Sequence, residues 1–333
     1  MCYNLCGDNM TIGVLGTGAF GLSLALIMKD NGHDVRMWTK FEEEAKSLST
    51  TRVSPNLKGI DIYKDIKITT NFEKTVVGAD LIVIAVPAAF VDDVSIELNK
   101  YKAAKQHICI ASKGIEQDTC LFVYDVLRQY INSKKVGVIS GPTFAIDVAN
   151  KVPVGLSLGC KHRGTTRVIK EALQNSHVKL RQTNDILGIE ICGSIKNVIA
   201  IANGMLAGME LPISTQAMMI TESLNDIKEL IHALGGRKST ILSFAGFGDL
   251  LLTCTSEKSR NYSFGRLLGS KVSKKEIDAY INSTTIEGLY TLKSIHKLLK
   301  KKKVKMPIIN LMHDIIYKGK DPEALLTFLI EKV

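Results

Sequence analysis

A short apolar strand that runs into a glycine-rich turn limits the fold more than any other feature of this sequence. Thr11-Ile12-Gly13-Val14-Leu15 leads into Gly16-Thr17-Gly18-Ala19-Phe20-Gly21, and apolar residues then recur at helical spacing up to Gly32. The glycines permit a tight turn, close approach of a ligand to the backbone and close helix packing, while the helix N-terminus offers amide donors and a positive dipole. This order predicts a domain that binds the pyrophosphate of a dinucleotide.

The end of the next strand bears on which dinucleotide is bound. Asp34–Trp38 is followed by Thr39 and Lys40, and acidic residues occur only from Glu42 onward. A site that prefers NAD usually has Asp or Glu here for the ribose 2′-hydroxyl, whereas a lysine and a hydroxyl leave room for a 2′-phosphate. The loop therefore favours NADP(H) and leaves NAD(H) open. Alternatively, Lys40 is an ordinary exposed loop residue.

The sheet continues through five further apolar segments. They are residues 79–87, 107–111, 136–139, 154–159 and 178–181. A near-continuous apolar run is typical of a parallel strand covered on both faces, and such strands end at the ligand crevice. Lys113 and the loop Ser140-Gly141-Pro142-Thr143-Phe144-Ala145 follow two of these strands, so Lys113 is predicted to meet an anion or a carbonyl oxygen. Residues 41 to 75 are interpreted as a polar, irregular stretch.

From Gly188 onward strand signals vanish and apolar residues at helical spacing dominate. The predicted fold class is α/β, with a Rossmann-type, mostly parallel sheet domain followed by an all-α second domain. The predicted ranges are an N-terminal extension over residues 1–9, a dinucleotide-binding domain over 10–187 and a helical substrate-binding domain over 188–333.

One lysine interrupts the apolar segment that opens the second domain. Lys196 lies in Gly188–Val198, which is otherwise dominated by apolar and small residues and is predicted to be a buried helix. An unpaired buried ammonium is expensive, so this side chain must reach solvent along its own stem or end in a polar pocket. The segment alone leaves open a solvent-seeking lysine or a catalytic amine with a lowered pKa.

Polar features of the second domain cluster in two segments, Gly246–Cys254 and Ser259–Gly265. Ser259 is a predicted N-cap, which places Arg260 and Asn261 in the first turn of a helix, where free amides can bind an anion. Arginine adds a planar fork that matches phosphate. The alternative is an exposed capping turn without a ligand.

Composition restricts the compartment and the partners. The chain has 333 residues, a net charge of +10 and seven cysteines, an odd number without metal-ligand spacing. Cys109, Cys192 and Cys254 lie among apolar residues and are predicted to be buried thiols, which suits a reducing compartment. No secretory signal is evident, and no apolar run is interpreted as long enough to span a bilayer. These features predict a cytoplasmic protein without membrane insertion.

The basic residues are spread along the chain, so phosphorylated metabolites are better anionic partners than nucleic acid. The one dense run, Lys300 to Lys303 with Lys305, is interpreted as a solvated helix end. Apolar helices containing glycine in the second domain could form a homodimer contact, and ordinary core packing explains them as well.

Several of these segments together resemble the bacterial NAD(P)-dependent glycerol-3-phosphate dehydrogenases over residues 10 to 333. The matching pieces are Gly16–Gly21, Ser112-Lys113-Gly114, Ser140–Ala145, Gly188–Asn197, Gly246–Cys254, Ser259-Arg260-Asn261 and Ile286-Glu287-Gly288. Departures from the family pattern, Asp147 in place of glutamate and Gly193-Ser194-Ile195 in place of Gly-Ala-Leu, remove no proposed chemical group.

The resemblance implies reversible, NAD(P)H-dependent reduction of dihydroxyacetone phosphate to sn-glycerol 3-phosphate, which supplies glycerophospholipid synthesis. It implies that Lys196 donates and accepts the proton, with Lys113 and Asp249 as further catalytic residues and with no metal. Substrate contacts are implied for Lys113, Gly141, Thr143, Lys196, Asp249, Ser259, Arg260 and Asn261. Cofactor contacts are implied for Gly16, Gly18, Ala19, Phe20, Gly21, Lys40, Lys113, Ala145, Arg260, Thr285 and Glu287.

Two alternatives stay open at this point. Other two-domain dehydrogenases, acting on hydroxy acids or sugar acids, also pair a dinucleotide fold with a helical lysine followed by asparagine. A carboxylate substrate does not by itself account for Ser259-Arg260-Asn261 together with the Gly246–Cys254 segment. A non-catalytic dinucleotide sensor is the second alternative, and the retention of Lys113, Lys196 and Asp249 argues against it.

Overall fold

The computed structural model describes residues 9–331, so the predicted extension over residues 1–9 lies outside the described chain except for its last residue. The chain divides into two compact units. The first contains the chain up to Lys113 together with Val123–Ile186, and the second contains Gly114–Phe122 together with the chain from Leu187 onward. The sequence prediction placed one boundary after residue 187 and so assigned Gly114–Phe122 to the first domain. In the structure this segment belongs to the second unit.

An eight-stranded sheet in the order β3-β2-β1-β4-β5-β6-β7-β8 forms the centre of the first unit. The strands are β1 Thr11–Leu15, β2 Asp34–Trp38, β3 Lys67–Thr69, β4 Leu81–Ile84, β5 His107–Ile110, β6 Val136–Ser140, β7 Val154–Cys160 and β8 Val178–Thr183. Neighbouring strands are parallel except β6 and β7, which are antiparallel. The predicted Rossmann-type, mostly parallel sheet is confirmed.

Seven α-helices accompany this sheet among the described residues. They are α1 Ala19–Asp30, α2 Glu42–Thr51, α3 Phe72–Val76, α4 Val91–Tyr101, α5 Val123–Tyr130, α6 Ala145–Ala149 and α7 Arg163–Leu173. The prediction that residues 41 to 75 are irregular is wrong, because α2, β3 and most of α3 lie there. These elements carry weak patterns: α2 buries only Ala45 and Leu48, and β3 is a three-residue edge strand.

The second unit is helical, as predicted. Its α-helices are α8 Ile186–Gly208, α9 Ile213–Ala233, α10 Asp249–Cys254, α11 Arg260–Gly269, α12 Lys274–Ser283, α13 Glu287–Lys302, α14 Pro307–Lys318 and α15 Ala324–Glu331. Most of α8 is apolar on every side and packs into one core cluster with residues of the later helices. The helix that carries Lys196 is therefore the central helix of this unit.

The length of α8 corrects one expectation. It has 23 residues and is long and apolar enough to cross a membrane by composition alone, so the prediction that no such run exists is wrong. Glu190 and Lys196 break the run when it is read residue by residue. Since 94% of its most apolar window is buried within the protein, α8 is the core helix of a folded unit rather than a membrane span.

Helices α8 and α11 approach each other to backbone contact through glycines on both. A Cβ atom added to Gly265 of α11 would lie 2.1 Å from the carbonyl oxygen of Ile201, and one added to Gly204 of α8 would lie 2.1 Å from that of Tyr262. Any side chain larger than hydrogen would push the helices apart. This contact sets the distance between Lys196 on α8 and the first turn of α11.

Candidate active site

Two glycines of the turn after β1 are required by the packing of the first unit itself. Gly16 has φ +116°, and a Cβ atom there would lie 2.8 Å from the carbonyl oxygen of Ala85. A Cβ atom on Gly21 would lie 2.5 Å from the carbonyl oxygen of Gly16. These glycines hold α1 close to the ends of β1 and β4, where the strand order of the sheet reverses.

Gly18 differs, because a Cβ atom there would meet no protein atom within 4 Å. It is the N-cap residue of α1, and no side chain caps this helix. Because Gly18 has no side chain, the space in front of the N-terminus of α1 is open to a ligand. Ala19 and Phe20 lie in the first turn of this helix. This arrangement fits the pyrophosphate of a dinucleotide.

The loop after β2 contains an interaction that sequence reasoning missed. The side-chain hydroxyl of Thr39 donates a hydrogen bond to the Glu44 carboxylate, and that of Thr70 donates to Glu42. Glu44 of α2 thus reaches back to this loop although it follows the strand by several residues, and Glu42 contacts Thr70, directly after β3. Lys40 is exposed beside them.

Lys113 lies at the end of β5, as predicted, and is held next to a second predicted cofactor residue. Its Nζ atom lies 5.8 Å from the centre of the Phe20 ring, within the range of a cation–π interaction. The preceding Ser112 donates a hydrogen bond of 2.6 Å to the carbonyl oxygen of Val86, which ties the loops after β4 and β5 together. The structure brings Lys113 to the α1 end of the sheet.

The loop after β6 has a structural explanation for its glycine. A Cβ atom on Gly141 would lie 2.4 Å from the carbonyl oxygen of Gly155, so packing against β7 alone requires glycine there. Thr143 is half-buried and its hydroxyl donates to the carbonyl oxygen of Gly141 at 3.4 Å. Ala145 is the first residue of α6.

In the second unit, Lys196 ends in a polar pocket rather than in solvent. Its Nζ atom donates to Asp249 Oδ1 at 2.5 Å and to Thr253 Oγ1 at 3.1 Å. The Thr253 hydroxyl in turn donates to the backbone oxygen of Asp249 at 2.6 Å. Lys196 is 8% exposed and Asp249 is 1% exposed, so the pair is shielded from water.

Helix α10 supplies both partners of Lys196 because Asp249 and Thr253 are one turn apart on the same face. A π-helical turn, Phe244–Gly248, leads into it. At the other end, the Asn203 side chain of α8 donates from Nδ2 to the carbonyl oxygen of Cys254 at 2.8 Å. This short helix is therefore attached to α8 near both ends. Thr253 escaped sequence reasoning, although its spacing from Asp249 was a usable signal.

The Cys254 thiol lies beside this pair but is not a reactive group. Burial raises the pKa of the Cys254 thiol, and the Asp249 carboxylate raises it further, although Lys196 acts in the opposite direction. A thiol in such surroundings stays protonated and is a poor nucleophile. Cys109 and Cys192 are likewise buried thiols, as predicted.

A second cluster joins α8, α11 and the start of α13. Asn197 donates from Nδ2 to Glu287 Oε2 at 3.1 Å, and Asn261 Oδ1 accepts a hydrogen bond of 2.8 Å from the backbone amide of Gly288. Asn197, which had no separate predicted role, places Glu287 next to the helix of Lys196. The asparagine directly after Lys196 was the sequence signal that could have identified this contact.

The predicted N-cap of α11 is confirmed, because the Ser259 hydroxyl accepts a hydrogen bond from the amide of Tyr262 at 3.3 Å. Arg260 is exposed in the first turn, and Thr285 is exposed before α13. Within each unit, the structure therefore brings predicted site residues of that unit together: Lys113 with Phe20 in the first unit, and Lys196 with Asp249 in the second. Among residues 9–331, no group of His, Cys, Asp and Glu is arranged to hold a metal ion.

Comparison with known proteins places both units in one family. Residues 11–166 match the family described as NAD-dependent glycerol-3-phosphate dehydrogenase N-terminus, and residues 185–327 match the corresponding C-terminus. The chain belongs to this dehydrogenase family. The resemblance stated from the sequence motifs is thereby confirmed.

Individual relatives agree over nearly the whole chain. The glycerol-3-phosphate dehydrogenase [NAD(P)+] of Staphylococcus epidermidis is 33% identical over 325 residues, which cover 96% of this chain and 98% of the relative. The crystal structure of the glycerol-3-phosphate dehydrogenase of Coxiella burnetii is similar with a TM-score of 0.91 and 30% identity, covering 97% of this chain and 99% of that one. The Saccharomyces cerevisiae enzyme shares the fold, with a TM-score of 0.85 at 21% identity.

Family membership confirms the oxidoreductase class and the NAD(P) cofactor predicted from the strand–turn–helix motif. It also makes a phosphorylated small molecule the substrate class of this enzyme. The role of each residue is a separate question.

Proposed function

We propose that this chain reduces dihydroxyacetone phosphate to sn-glycerol 3-phosphate, reversibly and in the cytoplasm, with Lys196 as the group that donates and accepts the proton. One observation carries the proposal: the amine of Lys196 is buried in an apolar helix and is held between Asp249 and Thr253. A lysine that merely sought solvent would not end in such a pocket. The buried free thiols agree with a reducing compartment.

Asp249 and Thr253 hold the Lys196 amine in place. Both accept hydrogen bonds from its Nζ atom, at 2.5 Å and 3.1 Å. Next to the substrate ketone oxygen, an ammonium held in this way would stabilise the negative charge that develops there and then transfer a proton to it. The adjacent carboxylate favours return of the amine to its charged form.

The nicotinamide supplies the hydride when the cofactor is bound. Gly18, Ala19 and Phe20 would hold the pyrophosphate at the N-terminus of α1, and Gly16 and Gly21 keep that helix in place. Lys113, positioned beside Phe20, would add positive charge close to the substrate. Thr285 and Glu287 are proposed to contact the cofactor.

The first turn of α11 is proposed to bind the substrate phosphate. Ser259 caps the helix, and the exposed guanidinium of Arg260 can form paired hydrogen bonds with a phosphate. The Asn261 oxygen is occupied by the Gly288 amide, so its NH2 group is the part available to an anion. Binding energy at the phosphate would position the distant ketone, so unphosphorylated dihydroxyacetone should be a poor substrate.

Replacement of Lys196 by methionine tests the proton-transfer role. The change alone would remove the positive charge that pairs with the buried Asp249 carboxylate, which costs about 3–5 kcal/mol, so the double variant Lys196→Met, Asp249→Asn removes both charges and serves as the folded control. In both variants we expect turnover of dihydroxyacetone phosphate to be almost abolished. Affinity for NADPH should be unchanged, because the pyrophosphate turn lies in the other unit. Near-normal turnover in a folded variant would refute the assignment.

The preference for NADP(H) rests on Lys40 and is tested by two matched changes. Lys40→Asp should raise the dissociation constant of NADPH far more than that of NADH, because a 2′-phosphate then faces a carboxylate. Glu44→Gln keeps a side chain that can accept from Thr39 and should leave both constants nearly unchanged. Equal effects of Lys40→Asp on both cofactors would contradict this reading of the loop.

A further inference from the structure

Seven exposed lysines lie on α13 and the loop that follows it, and the proposed reaction uses none of them. This lysine patch consists of Lys293, Lys297, Lys300, Lys301, Lys302, Lys303 and Lys305. None of them forms an ion pair within the part of the chain that the structure describes. The opposite side of α13 is buried through Leu292, Ile295, Leu298 and Leu299, so the helix is firmly seated and the patch faces outward.

The interpretation as a solvated helix end explains only part of the patch. Cations in the last turn of a helix interact favourably with its dipole, which accounts for Lys300, Lys301 and Lys302. Lys293 and Lys297 lie further back, and like charges four residues apart destabilise a helix. The pairs Lys293–Lys297 and Lys297–Lys301 are both of this kind. Repulsion between these lysines lowers the stability of α13, so helix stability does not explain why they are present.

Nearby acids offset this charge only in part. Lys297 and Lys301 lie within electrostatic reach of Cys120, as do Glu116 and Asp118 of the same unit. The Glu116 carboxylate already accepts hydrogen bonds from the Asp118 amide and from the Thr119 amide and hydroxyl. Lys297 Nζ donates to the backbone oxygen of Asp118 rather than to its carboxylate. Seven lysines against these two carboxylates leave a strongly positive surface.

We propose that the lysine patch docks the protein reversibly on an anionic phospholipid bilayer. Clusters of four to eight basic residues on an amphipathic helix suit such surfaces, where attraction is diffuse and sensitive to salt. Tyr290 is 53% exposed and lies on the same stripe as Lys293 and Lys297, where a tyrosine suits the lipid headgroup level. The patch contains no arginine, the residue favoured for specific contacts with nucleic acid.

The test measures co-sedimentation of the full-length protein with vesicles of phosphatidylglycerol and phosphatidylcholine, and with vesicles of phosphatidylcholine alone. We expect binding only to the anionic vesicles and release by added salt. Each lysine near an anionic surface contributes about fivefold to the partition coefficient, so Lys300→Gln, Lys301→Gln, Lys302→Gln together should lower it about a hundredfold. Activity with dihydroxyacetone phosphate in solution should be unchanged.

The control variant removes the same charge elsewhere. Lys46, Lys58 and Lys64 are exposed on the first unit, and their joint replacement by glutamine should leave vesicle binding nearly intact. A loss as large as that of the patch variant would overturn the proposal, since net charge alone would then explain binding. Absence of binding to anionic vesicles at low salt would also overturn it. Tighter binding to single-stranded RNA than to the vesicles would replace it with a nucleic-acid partner.

Discussion

The contact between α8 and α11 makes Gly265→Ala a severe test of how the substrate residues are positioned. The added Cβ atom would lie 2.1 Å from the backbone oxygen of Ile201, whereas an ordinary contact begins at 3.4 Å. The helices must therefore separate by about 1 Å, and neither atom belongs to a flexible side chain. Overpacking of this kind costs about 1–3 kcal/mol. We expect a value near the upper end, because only the backbone can yield.

The displacement should also reduce activity, since α11 begins at Arg260, just over one turn before Gly265. A misplacement of about 1 Å costs on the order of a hundredfold in rate. Initial rates of NADPH oxidation should show kcat/KM for dihydroxyacetone phosphate lowered by that factor. Thermal unfolding should show a lowered Tm.

Arg266→Ala is the matched control, because Arg266 is exposed on α11 and forms an ion pair with Glu257, which is also exposed. It should leave both kcat/KM and Tm close to those of the wild type. If Gly265→Ala retained wild-type stability and activity, the argument that backbone contact fixes the substrate residues would be refuted.

Three further changes concern the second unit. Asp249→Asn keeps the shape of the side chain but removes the charge beside Lys196, so initial rates across pH should show kcat lowered by on the order of a hundredfold and a shifted pH dependence. Asn203→Leu removes the donor to the end of α10 and should cost about 1–3 kcal/mol in urea unfolding and lower kcat. Burial lowers the pKa of His296 from 6.5, with the stacked His313 contributing, so the free energy of unfolding should fall as pH drops below 6.5, and His296→Gln should reduce this slope.

Each of these changes has a result that would contradict its premise. A normal pH profile in Asp249→Asn would show that the carboxylate does not govern the amine. Ser194→Ala is the control for Asn203→Leu: it lies on the same helix, is fully buried, and its hydroxyl has no hydrogen-bond partner within residues 9–331, so it should unfold like the wild type. Equal losses in both would assign the effect to general repacking of α8. A pH slope unaltered by His296→Gln would place the titrating group elsewhere.

Part of this structure could be predicted because it depends on interactions between residues close together in the sequence. The turn at Gly16 and the cap at Ser259 depend on residues within a few positions, so the sequence pattern identifies both. The family resemblance, rather than the segment around Lys196, raised Asp249 as a partner, because their contact spans 53 residues of chain. The spacing of Thr253 from Asp249 places both on one face of α10, but that this face meets Lys196 appears only once α10 lies against α8.

Other differences arise where tertiary packing outweighs a weak local pattern. The charged first turn of α2 and the three residues of β3 bury too little to give a clear period, so the stretch from 41 to 75 was misread. Gly141 was linked to the substrate, yet contact with β7 already requires its glycine. Gly114–Phe122 packs into the core of the second unit through Ile115, Cys120 and Phe122. A single domain boundary along the sequence cannot describe this arrangement, because the segment is flanked on both sides by residues of the first unit.

The central position of α8 has a consequence for biosynthesis. Most helices that cover it follow it in the chain, so a growing polypeptide displays an apolar helix of membrane length before its cover has been made. Lys196 lies close to the midpoint of that helix, where a lysine opposes insertion by the translocon by about 3 kcal/mol. The residue proposed to transfer the proton thus also helps to keep the nascent chain out of the membrane.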